Sequence, residues 1–329
     1  MEAPKFNVKF VTPLLIGGAA HGSVDANGLS GKALRGCWRF WCRAIIGGVM
    51  DGITIDKLNK LENEVFGSAD GEIGSKFRLN VEEHKSNRRG RFDLGFRGQR
   101  KPGFTEGASY SITLIPRTTM GEREKNILFA TIWLWGNLGA VGNRSRRGFG
   151  SPVLYLEDMG KNPFEFKNID GKDITLLIEE QPFSGSNELE NHLKNGLKSV
   201  WNVYKQWIGS TDSGDISTLL DPKNAPYFIL KSLEQIVVGD QGYSKRDDAI
   251  TAVHGMRNCR GLGWGGESKM ASPVFIRFHK VVGKDGQDKF LPIVTWCKQK
   301  NVKDTKNCAE KYLTDMKIGG IRVFTHDLR

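Results

Sequence analysis

The sequence predicts an α+β fold made of two β-α-β-β-α-β units, and three observations predict it. Short runs alternating apolar and polar residues stand at Lys5–Thr12, Lys76–Glu82, Ser109–Pro116 and in PVLYLE from Pro152. Two longer runs with helical apolar spacing, Gly31–Gly48 and Glu122–Leu138, set these in the order strand, helix, strand, strand, helix, strand. The chain of 329 residues is long enough for two domains that each bury a core.

The order found over residues 5–157 is the ferredoxin-like arrangement, which many RNA-binding sheets share. It predicts a ferredoxin-like domain over residues 1–160 and a second over 161–329. KFNVKFVT alternates cleanly and stops at Pro13. The glycine-rich LLIGGAAHGSVDANGLSG follows and delivers the chain to the first helix. A second helical piece, Ile55–Phe66, ends at Gly67. Glu122–Leu138 is strongly apolar, and its Ile127, Phe129, Ile132, Trp133 and Trp135 are core candidates. A polar linker around Gly160–Asp173 opens the second half. There Ile174–Glu179, Tyr227–Leu230, Val274–His279 and Leu291–Trp296 read as strands, and Leu189–Ile208 and Lys303–Met316 as helices.

The balance of 48 Lys+Arg against 37 Asp+Glu gives a formal net charge of +11, the footprint of a protein that meets nucleic acid or another polyanion. Membrane surface is the competing anion. MEAPKFNVKF lacks the charged-then-apolar pattern of a signal peptide, and the longest apolar run, Ile127–Trp135, is too short to span a bilayer. A soluble cytoplasmic protein is expected. Five cysteines with no C-x-x-C pair indicate neither a disulfide framework nor a zinc site, and the six histidines are scattered. Neither a metal nor any other cofactor is expected. Gly31-Lys32 is not a phosphate loop, because Ala26 replaces its first glycine and Ala33 its magnesium-binding hydroxyl.

Three segments concentrate cations. In GKALRGCWRFWCRAIIGG, a helix gathers Lys32, Arg35, Arg39 and Arg43 within roughly 80° of one another, opposite Leu34, Trp38, Trp41 and Ile45. Like charges at i,i+4 repel, so this stripe calls for an anion: a bound ligand, or Asp and Glu from elsewhere in the fold. His84–Lys101 carries seven Lys/Arg, among them Arg88, Arg89 and Arg97, against Asp93, with Phe92 and Phe96 interleaved. It reads as an exposed loop or protruding hairpin suited to a single nucleic-acid strand, cations on phosphates and rings on bases. Gly139–Ser151 sets Arg144, Arg146 and Arg147 and four glycines around Phe149, a composition that admits a phosphate close to the backbone. Lys245–Met270 adds Arg257, Arg260 and Lys269 around a glycine cluster.

KALRGCWRFWCRAI, GNRSRRGFGS and MASPVFIRF together resemble the RAMP superfamily of CRISPR-associated proteins. RGCWRFWCRAI is most similar to the first subunit of the type III-B effector, the Cmr complex. Family members often have a proline just before this helix, where Ser30-Gly31 stand here. The resemblance implies two ferredoxin-like domains and a non-catalytic subunit, part of antiviral defence, that binds CRISPR RNA or its target RNA alongside other Cmr subunits. It implies neither a membrane nor a small-molecule substrate. Carried onto this chain, it makes Lys32, Arg35, Arg39, Arg43, Arg144, Arg146 and Arg147 the RNA-facing residues, with 85–101 a projecting hairpin that separates or clamps RNA. Arg257 is a further candidate.

An RNA-cutting enzyme of the same superfamily is the strongest alternative, with His21 and Asp25 in the loop before the basic helix. Asp25 reads better as a turn former beside Asn27-Gly28. A generic RNA-binding protein would account for charge and fold but not for RGCWRFWCRAI.

Overall fold

The computed structural model describes residues 3–18, 23–25, 28–50, 53–94, 98–117, 120–156, 162–167, 173–176, 182–210, 230, 236–239, 242–254, 272–296 and 321–323. Among them are two four-stranded antiparallel sheets.

The first sheet runs β2-β5-β1-β6, with β1 at Lys5–Phe10, β2 at Phe77–Glu83, β5 at Ser109–Pro116 and β6 at Pro152–Tyr155. Alternation decides its two faces. Phe6, Val8 and Phe10 of β1, Tyr110, Ile112 and Leu114 of β5 and Leu154 of β6 turn into the core, all at 5% exposure or less. Three helices bury that face: α1 (Gly31–Val49), α2 (Ile55–Phe66) and α3 (Glu122–Leu138). Ser30 caps α1 by accepting a hydrogen bond from Ala33 N at 3.2 Å, and Thr54 caps α2 from Lys57 N at 3.2 Å. Gly67 ends α2 at φ 79°, a positive value that a Cβ would strain.

The second sheet runs β10-β11-β9-β12, with β9 at Ile236–Gly239, β10 at Val274–Val282, β11 at Asp288–Trp296 and β12 at Ile321–Val323. Helix α5 (Arg246–His254) lies between β9 and β10 in sequence. A two-stranded hairpin, β3 (Arg89–Asp93) with β4 (Arg100–Phe104), is inserted between β2 and β5. The expected linker holds a small pair, β7 (Glu165–Lys167) with β8 (Asp173–Thr175).

Helix α4 (Ser186–Ser210) crosses the expected division of the chain. Its sequence position assigns it to the second half, yet it packs on α1 and α3 of the first. Tyr204 Oη lies 2.5 Å from Thr131 Oγ1, and Arg123 donates to Trp207 O at 2.5 Å. A Cβ on Gly196 would come within 2.0 Å of Trp133, so only glycine admits this approach.

The two halves are also joined through β10. Arg277, 1% exposed, donates to the carbonyls of Gly136 at the end of α3 and of Pro152, the latter at 2.7 Å. His279 Nε2 lies 3.4 Å from Asn137 O. The Gly136 and Asn137 carbonyls belong to the last turn of α3, where a helix end leaves carbonyls without intrahelical partners. The strand-like Tyr227–Ile229, the helix expected at Lys303–Met316 and Glu179 lie outside the described residues.

Candidate nucleic-acid interface

The helix α1 stripe finds its anion inside the protein. Glu62 of α2 is 1% exposed and stands on the same face as Leu58, Leu61, Val65 and Phe66. Arg39 binds one of its carboxylate oxygens through Nε, and also donates to Gly67 O at 2.9 Å and Asn63 Oδ1 at 3.2 Å. Arg43 Nε lies 3.1 Å from the other oxygen. Burial pushes the Glu62 carboxyl up from its ordinary range, and the two arginines oppose that shift. The internal carboxylate, left open in the sequence, thus answers the i,i+4 repulsion. Three of Arg39's donors are thus committed to α2 and its turn.

Arg35 lies over the Phe77 ring, 5.3 Å from its centroid, and Nη2 is 3.4 Å from Phe77 O. Partial burial, with Arg117 and Arg39 nearby, holds its guanidinium below the usual value. Lys32, in the first turn, is exposed. The apolar side behaves as expected: Trp38 is fully buried, edge-on to Trp135 at 6.2 Å between ring centroids.

The Gly139–Ser151 loop is a joint between the halves. Gly148 N donates to Ile276 O at 3.0 Å, Asn143 N to Leu15 O at 2.7 Å and Gly150 N to Pro13 O at 2.9 Å. Arg146 stacks on Phe275 at 4.4 Å and on Phe40 at 5.3 Å from the centroids, and donates to Ser272 O. Arg144 adopts a left-handed conformation, φ 61°, and closes a turn with Arg147 N at 2.8 Å. Phe149, an RNA-binding candidate by its place in this loop, is turned inward instead: at 1% exposure it packs in a core cluster with Leu15, Leu94, Ile250 and Phe278. The glycines serve close backbone crossings, for a Cβ on Gly148 would stand 2.6 Å from the Phe278 ring.

The basic segment is a hairpin, as its composition predicts, but longer: β4 runs on to Phe104. Lys85, Arg88, Arg89, Arg91, Arg100 and Lys101 are exposed. Phe104, fully buried, anchors the hairpin by exchanging backbone hydrogen bonds with Leu14 at 2.9 and 3.0 Å. Arg89 lies 5.2 Å over the Phe104 ring. Arg246 of α5 reaches the same hairpin, 5.6 Å over Phe92 and 3.6 Å from Glu106. A rigid root and a cationic outer surface are what a clamp on a phosphate chain requires.

The face of the first sheet turned away from the helices is polar and went unread in the sequence. Ser111 Oγ donates to Asn7 Oδ1 at 2.7 Å and lies 2.9 Å from His84 Nε2; Ser109 Oγ is 2.7 Å from Tyr155 Oη. Its signal was present, since Asn7, Ser109 and Ser111 occupy the alternate positions of β1 and β5.

Arg97, Arg257, Arg260, Lys269 and His21 lie outside the described residues. Asp25 O accepts from Gly28 N at 3.1 Å, with Gly28 at φ 64°, so its backbone closes a turn. Among the described residues no group of three or more His, Cys, Asp and Glu could hold a metal ion. Burial pushes the Cys37 and Cys42 thiols up to about 12, which keeps both protonated and unreactive near neutral pH. No helix among the described residues is long and apolar enough to cross a membrane.

Residues 7–153 match the family model described as RAMPs, the RAMP superfamily, and the likeness read from the sequence is borne out. The chain is 33% identical over 160 residues to the Pyrococcus furiosus protein named CRISPR system Cmr subunit Cmr1-1; the match takes in 42% of this chain and 45% of that one. It thus spans less than half the length of that relative. To Cmr subunit Cmr1-2 of the same organism it is 29% identical over 187 residues, 47% of this chain and 96% of that one. The fold resembles the crystal structure of apo Cmr1 from Pyrococcus furiosus, with TM-score 0.59, 17% identity and 98% of both chains covered. It also resembles a chain in the cryo-EM structure of the type III-B Cmr-beta bound to cognate target RNA. There the TM-score is 0.56 at 11% identity, with 96% of this chain and 100% of that one covered.

Proposed function

We propose, taking the RAMP match of residues 7–153 as the premise, that this chain is an RNA-binding subunit of a type III-B CRISPR ribonucleoprotein effector. In this reading it contacts CRISPR RNA, target RNA or both, beside other Cmr subunits, in antiviral interference in the cytoplasm. The observation that carries the RNA-binding reading is the exposed cationic hairpin on a buried root: Arg88, Arg91, Arg100 and Lys101 outside, Phe104 and Leu94 inside. Sequence likeness to two Cmr subunits supports the assembly.

Both sheets have the strand order expected of ferredoxin-like units, β6-β1-β5-β2 in the first and β12-β9-β11-β10 in the second. We read the chain as two such domains, the first completed in space by α4, so that their division is not a single cut near residue 160.

The role is one of binding without catalysis. The Asp25 carbonyl accepts from Gly28 N, in keeping with its reading as a turn former. The test is direct: full-length protein retains labelled single-stranded RNA with an affinity that falls steeply with salt, leaves it intact with magnesium or manganese, and co-purifies with Cmr proteins and a guide RNA. Metal-dependent cleavage lost in Asp25→Ala would replace this reading with the endoribonuclease one, and RNA binding without CRISPR partners would leave a generic RNA-binding protein.

A further inference from the structure

A cleft of about 640 Å³ opens at the root of the hairpin, between the polar face of the first sheet and strands β10 and β11. Its size suits a nucleotide-sized ligand. Lys9 of β1 and Lys280 of β10 line it from opposite halves of the protein, with His84, Ser86, Tyr155 and Phe290 between them. Lys9 is exposed and has no ion pair among the described residues. Lys280 lies 2.5 Å from Asp288 and keeps 40% of its side chain in solvent. His84 and Ser86 stand where the chain leaves β2 for the hairpin, so the cleft is continuous with the row of exposed arginines.

We propose that this cleft seats an unpaired nucleotide of a single RNA strand whose neighbouring phosphates run along the hairpin. The inference rests on the RNA-binding reading above. Lys9 and Lys280 supply charge for the backbone on either side, and Tyr155, half-buried and fixed by Ser109, offers a ring for the base. His84 and Ser86 add hydrogen-bonding groups that a base edge or ribose can use. A phosphate chain is favoured over a protein segment because the lining sets two lysines against one carboxylate, Glu106, which lies 3.6 Å from Arg246, while Val153 and Phe290 give a base apolar surface.

The experiment uses the full chain and a fluorescent oligouridine in equilibrium binding at two salt concentrations. Lys9→Glu and Tyr155→Ala each weaken binding by about tenfold, while Tyr155→Phe, which keeps the ring, binds as the parent does. Unchanged melting temperatures establish that the variants are folded, and photo-crosslinking of 4-thiouridine RNA marks peptides containing His84 or Tyr155. If Arg91→Glu weakens binding but the cleft variants do not, and crosslinks map to residues 88–101 alone, the cleft proposal is overturned and the RNA-binding reading stands. If the parent protein itself shows no salt-dependent RNA binding, the reading of function falls and the cleft proposal with it.

Discussion

Arg43 Nε lies 3.1 Å from a carboxylate oxygen of Glu62, a side chain that is 1% exposed and held on its other oxygen by Arg39. The pair ties α1 to α2 beneath the first sheet. Removing Arg39 leaves a buried carboxylate with one cation, and Arg39→Ala is expected to cost about 2–3 kcal/mol. This is below the roughly 3–5 kcal/mol of a fully buried pair, because the arginine retains some solvent and Arg43 still faces the carboxylate. Urea unfolding at constant m measures it. RNA affinity of the folded variant stays at the parental level; a fall in affinity at unchanged stability would show that Arg39 faces the ligand.

The hairpin behaves in the opposite way. Arg88, Arg91 and Lys101 are exposed, so charge reversal at all three leaves the melting temperature unchanged. RNA affinity falls by more than tenfold, and the slope of log affinity against log salt flattens by about 0.7 for each phosphate of a single strand that the variant no longer neutralises. A salt titration of parent and variant reads both effects.

Gly148 sits at φ 83° with the Phe278 ring where a Cβ would go. Gly148→Ala therefore combines backbone strain with overpacking between the loop and β10, and an expected cost of about 2–3 kcal/mol follows. Thermal unfolding monitored by tryptophan fluorescence checks it.

His279 makes stability depend on pH. Burial, reinforced by Arg277, holds its pKa well below the ordinary value, so the folded protein keeps the ring neutral. The unfolded chain takes up a proton as pH falls through about 6.5, while the folded one does not. The contribution of His279 is thus present above that pH and lost below it, by at most about 1.4 kcal/mol per pH unit. Melting temperatures between pH 7.5 and 5 should decline in the parent and decline less in His279→Gln.

Local signals were sufficient for most of the first half. Ile55–Phe66, Ser109–Pro116 and Glu122–Leu138 have the bounds that alternation, helical spacing and the stop at Gly67 dictate. Short elements carried too little signal: IVVG at Ile236–Gly239, the three residues of β12, and α5, whose RDDAITAVH is mostly polar and gains its apolar partners only from the Phe149 cluster. The binding residues were legible as composition but not as geometry. Arginines in α1 and in the glycine loop look alike in sequence to those of the hairpin. What separates them is distant chain: Glu62 for Arg39 and Arg43, Phe275 and Ser272 for Arg146. Glu62 itself was a readable clue, an acid placed on the apolar stripe of α2.

The seat of α4 on α1 and α3 bears on how the protein is made. During synthesis the strands of the first sheet and the helices that cover it emerge before residues 186–210 have been translated. Until then the surface around Trp133 that receives Gly196 is uncovered. A nascent chain at that stage exposes apolar helix to the cytosol and is a natural client for ribosome-associated chaperones. A gene fragment ending near residue 160 freezes the chain in that state, whereas one extending past residue 210 carries its own cover.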